Sequence, residues 1–484
     1  MKRKRFIALA ALLIGGSSGQ ALAVPGDTSP RSMGLGQAYT ALARGPEATF
    51  WNPANLALSG DSKFHWDLVG VGFSLFAENN SFSVTTYMDN FTDSNSNVSP
   101  NGSKYYISPA DKGDILSDIP GEGLKMNVDF DPFLAVGIPV NGGVAFSIGE
   151  IRSAVSIGLT TGFEGEIPKD MFELFLFGNE FGEAYDISDW DGSGWAVGTI
   201  NFSGAKAFMP AQLKSFLSEF TAGGTLKLSF GSYAEITESG GSGLISRVNG
   251  ADLDSYLITR SAGIDFGSNI LEDKPKPSLG GTGFGLDFGM AGVTKNRKAT
   301  FSLGFLNLLD TFSWSTDSRQ DSLFVQANDL RITRFADEKS RSIEDVLDNP
   351  DVDSDTTNTD FNKLQSEGSF SRSLPAMMRL GVAYEAMPKL TVVGNWDQAF
   401  SSGFGVDATP RLAGGVEYRL VDWFPMRFGL SLGGRSSGSS IGFAFGPFIL
   451  PHLRVSLLET ALVTRGGFFP GIAKGTAISL MFFR

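Results

Sequence analysis

The chain has 484 residues, no cysteine and two histidines, with 52 Asp and Glu against 39 Lys and Arg and a formal net charge of −13. Without cysteine there is no disulfide framework, zinc–thiolate site or cysteine nucleophile, and an acidic chain of pI near 4.8 is a poor sequence-independent nucleic-acid binder. Sixty glycines and 41 phenylalanines beside only 19% charged residues exclude a disordered chain and describe one that covers much surface with small and apolar side chains.

The first element is a targeting signal. Lys2, Arg3, Lys4 and Arg5 form a basic stretch, Phe6 to Ile14 an apolar core, and Ala21-Leu22-Ala23 a small–x–small cleavage pattern. The apolar run is far short of the ~20 residues a spanning helix needs, so residues 1–23 read as a secretory signal removed near Ala23. Removing its four basic residues takes the net charge from −13 to −17. No later stretch is long and apolar enough for a spanning helix. The mature chain is therefore either soluble outside the cytoplasm or a membrane β-barrel.

Residues 31–58 read RSMGLGQAYTALARGPEATFWNPANLAL. The small residues Gly34, Gly36, Ala38, Ala41 and Ala43 allow close packing against a wall. Asn52-Pro53-Ala54 sets a turn, because proline fixes φ and pushes the preceding residue out of the helical region, and Asn52 can bond nearby backbone where strand partners are missing.

Beyond this segment, period-two patterns dominate. Phe284, Leu286, Phe288 and Met290 alternate with Gly283, Gly285, Asp287 and Gly289. Met426, Phe428, Leu430 and Leu432 alternate with Arg427, Gly429, Ser431 and Gly433. Such alternation marks strands with one apolar face. A soluble β-sandwich alternates too. Two features favour a membrane barrel: the second face is small and polar, as a crowded or wet lumen requires, and many runs reach the ~9–11 residues that cross a bilayer at a tilt. Closure also removes the exposed edges of so large a sheet.

Candidate strands lie at 62–76, 80–90, 124–140, 142–163, 194–207, 221–237, 253–267, 279–292, 298–314, 376–386, 389–397, 411–420, 425–434, 440–449, 452–463 and 473–483. Some are loop extensions, and bacterial barrels have even strand numbers. The expected fold is all-β: a transmembrane antiparallel barrel of 14 strands, with 16 as the alternative, carrying a small N-terminal hatch (24–60) and partly helical loops on a barrel spanning 61–484. Tight turns at 387–388, 421–424 and 450–451 belong at the periplasmic end, as does 295–297. The longer loops belong outside. Trp314, Trp396 and Trp423 are expected at interfacial belts, with the lumen as the alternative.

Three insertions interrupt the pattern. Residues 91–122 are polar, with a short helix near Asp111–Ile119. Residues 164–220 are apolar, and Leu213, Phe216, Leu217 and Phe220 recur at helical spacing. This segment is either a cap on the rim or a greasy docking groove whose contacts are Phe172, Phe175, Phe177 and Phe216. Residues 336–363 form an acidic outer loop. Its Asp351-x-Asp353-x-Asp355 spacing is the one place for a calcium ion, but Thr356 stands where an EF-hand loop needs Gly.

The segment 31–58, through Gly34-x-Gly36-x-Ala38-Tyr39, Ala41, Ala43 and Asn52-Pro53-Ala54, resembles the N-terminus of the FadL-like outer-membrane barrels and of related PorV-like barrels. The chain departs from that pattern at Arg44-Gly45-Pro46-Glu47 and at Asn55. The resemblance implies that Gly34, Gly36, Asn52, Pro53 and Ala54 belong to a hatch inside the barrel. It also implies passage of hydrophobic small molecules such as long-chain fatty acids across the outer membrane of a Gram-negative-type bacterium. The alternative is a non-transporting PorV-like secretion partner or structural surface barrel. The expected partners are outer-membrane lipid and either an apolar ligand or a periplasmic or secretion partner. No nucleic acid and no cofactor are expected. Neither His65 nor His452 sits in a catalytic pattern, so no enzymatic activity is expected.

Overall fold

The computed structural model describes residues 29–60, 63–91, 108–178, 180–247, 250–265, 276–330, 359–450 and 453–483. The signal segment, His452 and the carboxylates Asp351, Asp353 and Asp355 lie outside the described residues. Among the described residues no cluster of Asp, Glu or His assembles for a metal ion. No helix among them is long and apolar enough to cross a membrane.

Fourteen antiparallel strands close into one barrel. In chain order they are β1 (Val69–Asn79), β2 (Leu124–Val136), β3 (Ile151–Ile167), β4 (Asp191–Ala207), β5 (Leu217–Glu238), β6 (Gly281–Thr294), β7 (Ala299–Leu306), β8 (Met377–Met387), β9 (Leu390–Ala399), β10 (Arg411–Val421), β11 (Phe424–Gly433), β12 (Gly438–Phe445), β13 (Leu458–Arg465) and β14 (Gly475–Phe482). Each pairs with its neighbours in order, and β14 returns to β1 through Val71↔Phe482 to Glu78↔Gly475. Closure leaves no free edge, so the wall satisfies its own backbone groups.

Alternation decides the two faces. Along β11, Met426, Phe428, Leu430 and Leu432 are exposed, whereas Arg427, Gly429 and Ser431 are buried in the lumen. The same pattern places Phe284, Phe288 and Met290 on the outside of β6, and Ile441, Phe443 and Phe445 on the outside of β12. An apolar band continuing round the whole circumference far exceeds what a soluble surface carries, and it is the face that lipid wets. At the periplasmic end Trp423 stacks with Phe445 and Phe448, as an interfacial girdle requires.

Several expected elements are corrected. Residues 84–91 form a helix rather than a strand. Residues 250–262 form a strand of an outer sheet that continues the upper half of β5, not a wall strand. Expected strand 142–163 divides into 142–148 and β3. The insertion 164–220 is not a helical unit: its one α-helix is Lys169–Phe177, residues 191–207 are wall, and Ala211–Leu213 is a single 3-10 turn leading into β5. The helical spacing of Leu213 to Phe220 is overridden because the apolar side chains of β5 face lipid and its backbone pairs with β4 and β6.

One irregularity shapes the wall. In their outer halves β2 and β3 pair directly, Leu124↔Ile167 to Phe130↔Thr161. Below this they part like a fork. Residues 138–140 pair with β2, and 142–148 pair with β3 and with His65-Trp66. Asn141 sits in the crotch at φ +55. Its amide donates to Pro132 O at 2.6 Å and Leu159 O at 2.8 Å and accepts from Leu159 N at 2.7 Å, tying the two prongs.

Candidate functional site: the plugged lumen

Residues 29–58 fold inside the barrel, and nearly every one is buried. The entering helix α1 (Pro30–Gly34) has Ser29 as its N-cap, its hydroxyl accepting from Ser32 N, and Pro at its start, where the missing N–H costs nothing. The chain then turns at Gly36 and Gln37, both at positive φ. Gly36 is required twice over. Its φ of +64 favours glycine, and a side chain there would press on the backbone of Leu430. Its amide donates to Ser440 Oγ at 2.9 Å.

The wall is cut to receive this plug. Inward glycines on successive strands (Gly289, Gly304, Gly381, Gly415, Gly429 and Gly442) stand where any Cβ would collide with plug atoms.

Asn52-Pro53-Ala54 forms the pivot. Asn52 is extended, and its amide oxygen caps a 3-10 turn, Pro53–Ala57, through Ala54 N at 2.9 Å. Its amide nitrogen donates to Met290 O at 2.9 Å, Leu303 O at 3.1 Å and Ser302 Oγ at 2.6 Å. Asn55 locks the plug to itself: its nitrogen donates to Thr40 O at 2.7 Å, and its oxygen accepts from Ser302 Oγ at 3.0 Å. The departure from the FadL-like pattern at Asn55 is thus a structural clamp. Glu47, in the other departure, accepts from the Tyr39 hydroxyl at 2.8 Å.

An arc of buried arginines faces the plug from β8 to β13: Arg379, Arg411, Arg427 and Arg465. Arg427 pairs with Glu417 at 3.0 Å and Arg411 with Asp397 at 3.1 Å. Arg411 also donates to Gly36 O, Arg465 donates to Gln37 Oε1 at 3.0 Å, and the Arg379 guanidinium lies 4.3 Å from the centre of the Trp51 ring. Opposite them, Lys227 pairs with Asp287 at 2.9 Å. Arg427, Arg411 and Lys227 thus meet carboxylates, as buried charges require, whereas Arg465 is held by the neutral Gln37 and Ser431. The sequence showed these cations as occasional Arg on small, polar strand faces, but their partners lie tens to hundreds of residues away.

Above the plug the lumen changes character. Trp195 (β4), Tyr233 (β5), Phe312, Trp314, Phe370 and Phe404 pack together, with Phe312 stacked on Trp314 at 4.2 Å and Tyr233 5.4 Å from Trp314. Trp314 is fully buried here, so it belongs to the lumen and not to a belt. This aromatic group is part of one apolar cluster that runs through Leu374 and Met377 to Trp51, Phe50, Tyr39 and Leu35 of the plug. A packed apolar cluster thus joins the outer aromatic group to the plug beside the buried ion pairs of the lumen.

The four phenylalanines singled out from the sequence do not meet. Phe172 packs in a small core with Phe82, Ile115, Ile119 and Leu176, where the helix 169–177 lies on the helix 109–118. Phe175 and Phe177 project from this outer cap and are exposed. Phe216 is exposed at the opposite, periplasmic end. A single docking groove including Phe216 is therefore excluded.

Fold and lumen together define a plugged membrane-spanning β-barrel of the outer-membrane type. The chain belongs to the family of unknown function DUF5723, whose model matches residues 53–449. Among solved structures it is similar to the Ralstonia pickettii toluene transporter TbuX (13% identity, 94% of this chain and 98% of that one, TM-score 0.45). It is also similar to the CymD monoaromatic hydrocarbon channel (12%, 94% and 97%, 0.45) and to a Pseudomonas aeruginosa FadL homologue (13%, 96% and 97%, 0.43). No curated protein matches the sequence.

Proposed function

We propose that the chain is a non-enzymatic outer-membrane channel for the passive entry of hydrophobic small molecules, long-chain fatty acids among them. The observation that carries this reading is the apolar cluster from the outer aromatic group to the plug. A barrel that served only as a scaffold has no need of such a cluster beside its ion pairs, whereas an apolar solute needs an unbroken apolar surface, because each polar group it passes must stay hydrated or paired. The exposed Phe175 and Phe177 on the outer cap give such a solute a first contact.

The fork between β2 and β3 opens a gap, lined mostly by polar residues, between plug and wall. A cavity there is lined by Ser29 and Glu47 of the plug, by Asp131, Phe133 and Asn141, and by Phe73 from the outward side of β1. It lies between plug and wall where β2 and β3 separate.

The test is equilibrium binding of a radiolabelled long-chain fatty acid and of a long-chain alkane to the purified protein, with uptake by cells that carry or lack it. Saturable binding and protein-dependent uptake are expected; absence of saturable binding of any apolar ligand removes the reading. A second reading, a secretion partner or structural surface barrel, draws on the filling of the lumen by a plug tied to the wall by the Arg31–Glu417 ion pair and by hydrogen bonds. Copurification of a stable periplasmic or surface partner, with no uptake defect on deletion, favours it.

A further inference from the structure

The outer loop between β9 and β10, residues 400–410, dips into the mouth of the barrel. Its base is exposed at Phe400, Ser401 and Ser402, yet its tip is buried, with Phe404 and Val406 each 3% exposed. Gly403 and Val406 exchange two backbone hydrogen bonds of 3.0 Å, closing a two-residue turn on Phe404-Gly405. Both central residues have positive φ, +51 and +79. This is the type I′ pattern, which selects Asn-Gly, Asp-Gly or Gly-Gly. A bulky aromatic at the first position is an outlier that the backbone alone disfavours.

What holds Phe404 there is its ring. It meets Trp195 edge-on at 5.7 Å and Tyr233 at 5.4 Å, distances at which aromatic pairs attract. Trp195 and Tyr233 stand on wall strands, and Trp314 and Phe370, which complete the group, come from paired short strands above β7 and β8. Phe404 arrives on the loop between β9 and β10, whereas Phe312, Trp314 and Phe370 come from the connection between β7 and β8. The indole N–H of Trp195 is buried with no acceptor among the described residues. On the other flank of the loop a cavity lined by Val406, Asp407, Arg411 and Arg435 separates the tip from the wall. Rings thus hold one flank of the tip, and a cavity borders the other.

We infer that loop 400–410 is a displaceable stopper and that Phe404 occupies, in the resting barrel, a binding site for a single aromatic ring of an incoming apolar molecule. The site is the outer end of the cluster on which the uptake reading rests, and the inference depends on that reading for its role. When a ring of the ligand replaces that of Phe404, the strained turn relaxes outward and the cluster opens to the outside.

Toluene is the probe, being the side-chain analogue of phenylalanine. In Phe404→Asn the turn gains a residue suited to its φ while the ring site empties, so the variant folds. Heat-modifiable migration of the barrel in gels verifies this. Isothermal titration is expected to show toluene binding to F404N about tenfold tighter than to the wild type. The chain has no cysteine, so Val406→Cys supplies a single buried thiol, and toluene is expected to speed its reaction with a charged maleimide about fivefold. Folded F404N with no gain in toluene binding, or a V406C thiol whose reactivity ignores toluene, overturns the stopper. Toluene uptake by cells reports separately: binding without uptake keeps the ring site and removes the channel, whereas uptake without binding to F404N removes the ring site and leaves the channel standing.

Discussion

Arg31, in the first turn of the plug, donates two hydrogen bonds to Glu417 on β10, at 2.9 Å and 3.0 Å. The residues are 386 apart in sequence. Glu417 also accepts from Arg427 of the neighbouring strand at 3.0 Å, so one carboxylate serves a cation of the plug and a cation of the wall. Removing one member of a buried pair leaves an uncompensated charge and costs about 3–5 kcal/mol. Glu417→Gln is therefore expected to loosen the plug and not merely weaken a contact. Trypsin cleavage after Arg31 and Arg44, absent in the wild type, measures this. Arg31→Lys keeps the charge but loses the fork geometry and is expected to give a smaller effect. Equal trypsin resistance in all three proteins would show that the pair does not hold the plug.

The Asn52 pivot gives a second test. Asn52→Ala removes bonds to Met290, Ser302 and Leu303 as well as the cap on Ala54. At roughly 1 kcal/mol per net bond, a loss of about 2–4 kcal/mol is expected, seen as a lower thermal midpoint by circular dichroism. Gly289→Ala attacks the same contact from the wall, because its Cβ falls on the Asn52 side-chain oxygen. It should destabilise the plug as much as N52A, and the double variant should add little further.

Lipid contact makes opposite demands on nearby residues of β11. Leu430→Arg puts a charge on the lipid face near mid-strand and is expected to cost about 2–4 kcal/mol of barrel stability in bilayers. Arg427, three residues away and facing inward, is already charged and tolerated because Glu417 and Glu459 receive it. Urea titration of folding into vesicles measures the difference. An unchanged midpoint for L430R would mean that water, not lipid, touches this face.

The stopper loop carries a pH dependence. Partial burial works to raise the Asp407 carboxyl, but hydrogen bonds from the Thr409 side chain and backbone outweigh it, aided by the Arg435 and Lys125 charges, and hold it below the ordinary value. A carboxylate whose folded pKa is depressed contributes stability above its unfolded pKa, ~3.9, and loses it as pH falls further through the folded value. The labelling rate of V406C, divided at each pH by that of the unfolded chain so that thiolate ionisation cancels, is expected to be flat between about pH 5 and 8 and to rise below about pH 4. Asp407→Asn should abolish that rise.

The outer cap and the periplasmic turn separate the four phenylalanines experimentally. Phe175→Ser with Phe177→Ser is expected to weaken fatty-acid capture about thirtyfold, since each of the two exposed rings offers about 1 kcal/mol of apolar contact. Phe216→Ser is expected to leave capture unchanged, because it lies at the other end of the barrel. Phe172→Ala should instead lower cap stability by about 2 kcal/mol through the cavity it leaves.

Period-two alternation is a property of neighbours along the chain, so the wall strands of the C-terminal third, their turns and their two faces are legible in the amino-acid order itself. The same is true of the Asn52-Pro53 turn, which needs only the stereochemistry of proline. Helix and strand are ambiguous where apolar spacing serves both, as at Leu213 to Phe220. There pairing with β4 and β6 decides the outcome, not the spacing. Residues 80–90 mislead for the complementary reason. Their apolar positions suit a strand, but β1 has already ended at Asn79, and Asn79 bonds to Ser81 N and Phe82 O as the chain turns toward the helix 84–91.

Local geometry and side-chain size alone determine that this chain forms ribbons with one greasy and one small face and that residues 31–58 can lie close against them. Only the folded barrel decides which arginine meets which carboxylate, that Trp314 faces the lumen, and that Phe404 completes an aromatic group. Asp397 meets Arg411 and Glu417 meets Arg427 through the register of neighbouring hairpins, whereas Arg31 reaches Glu417, and Phe404 reaches Trp195 and Tyr233, only because the sheet closes around the plug.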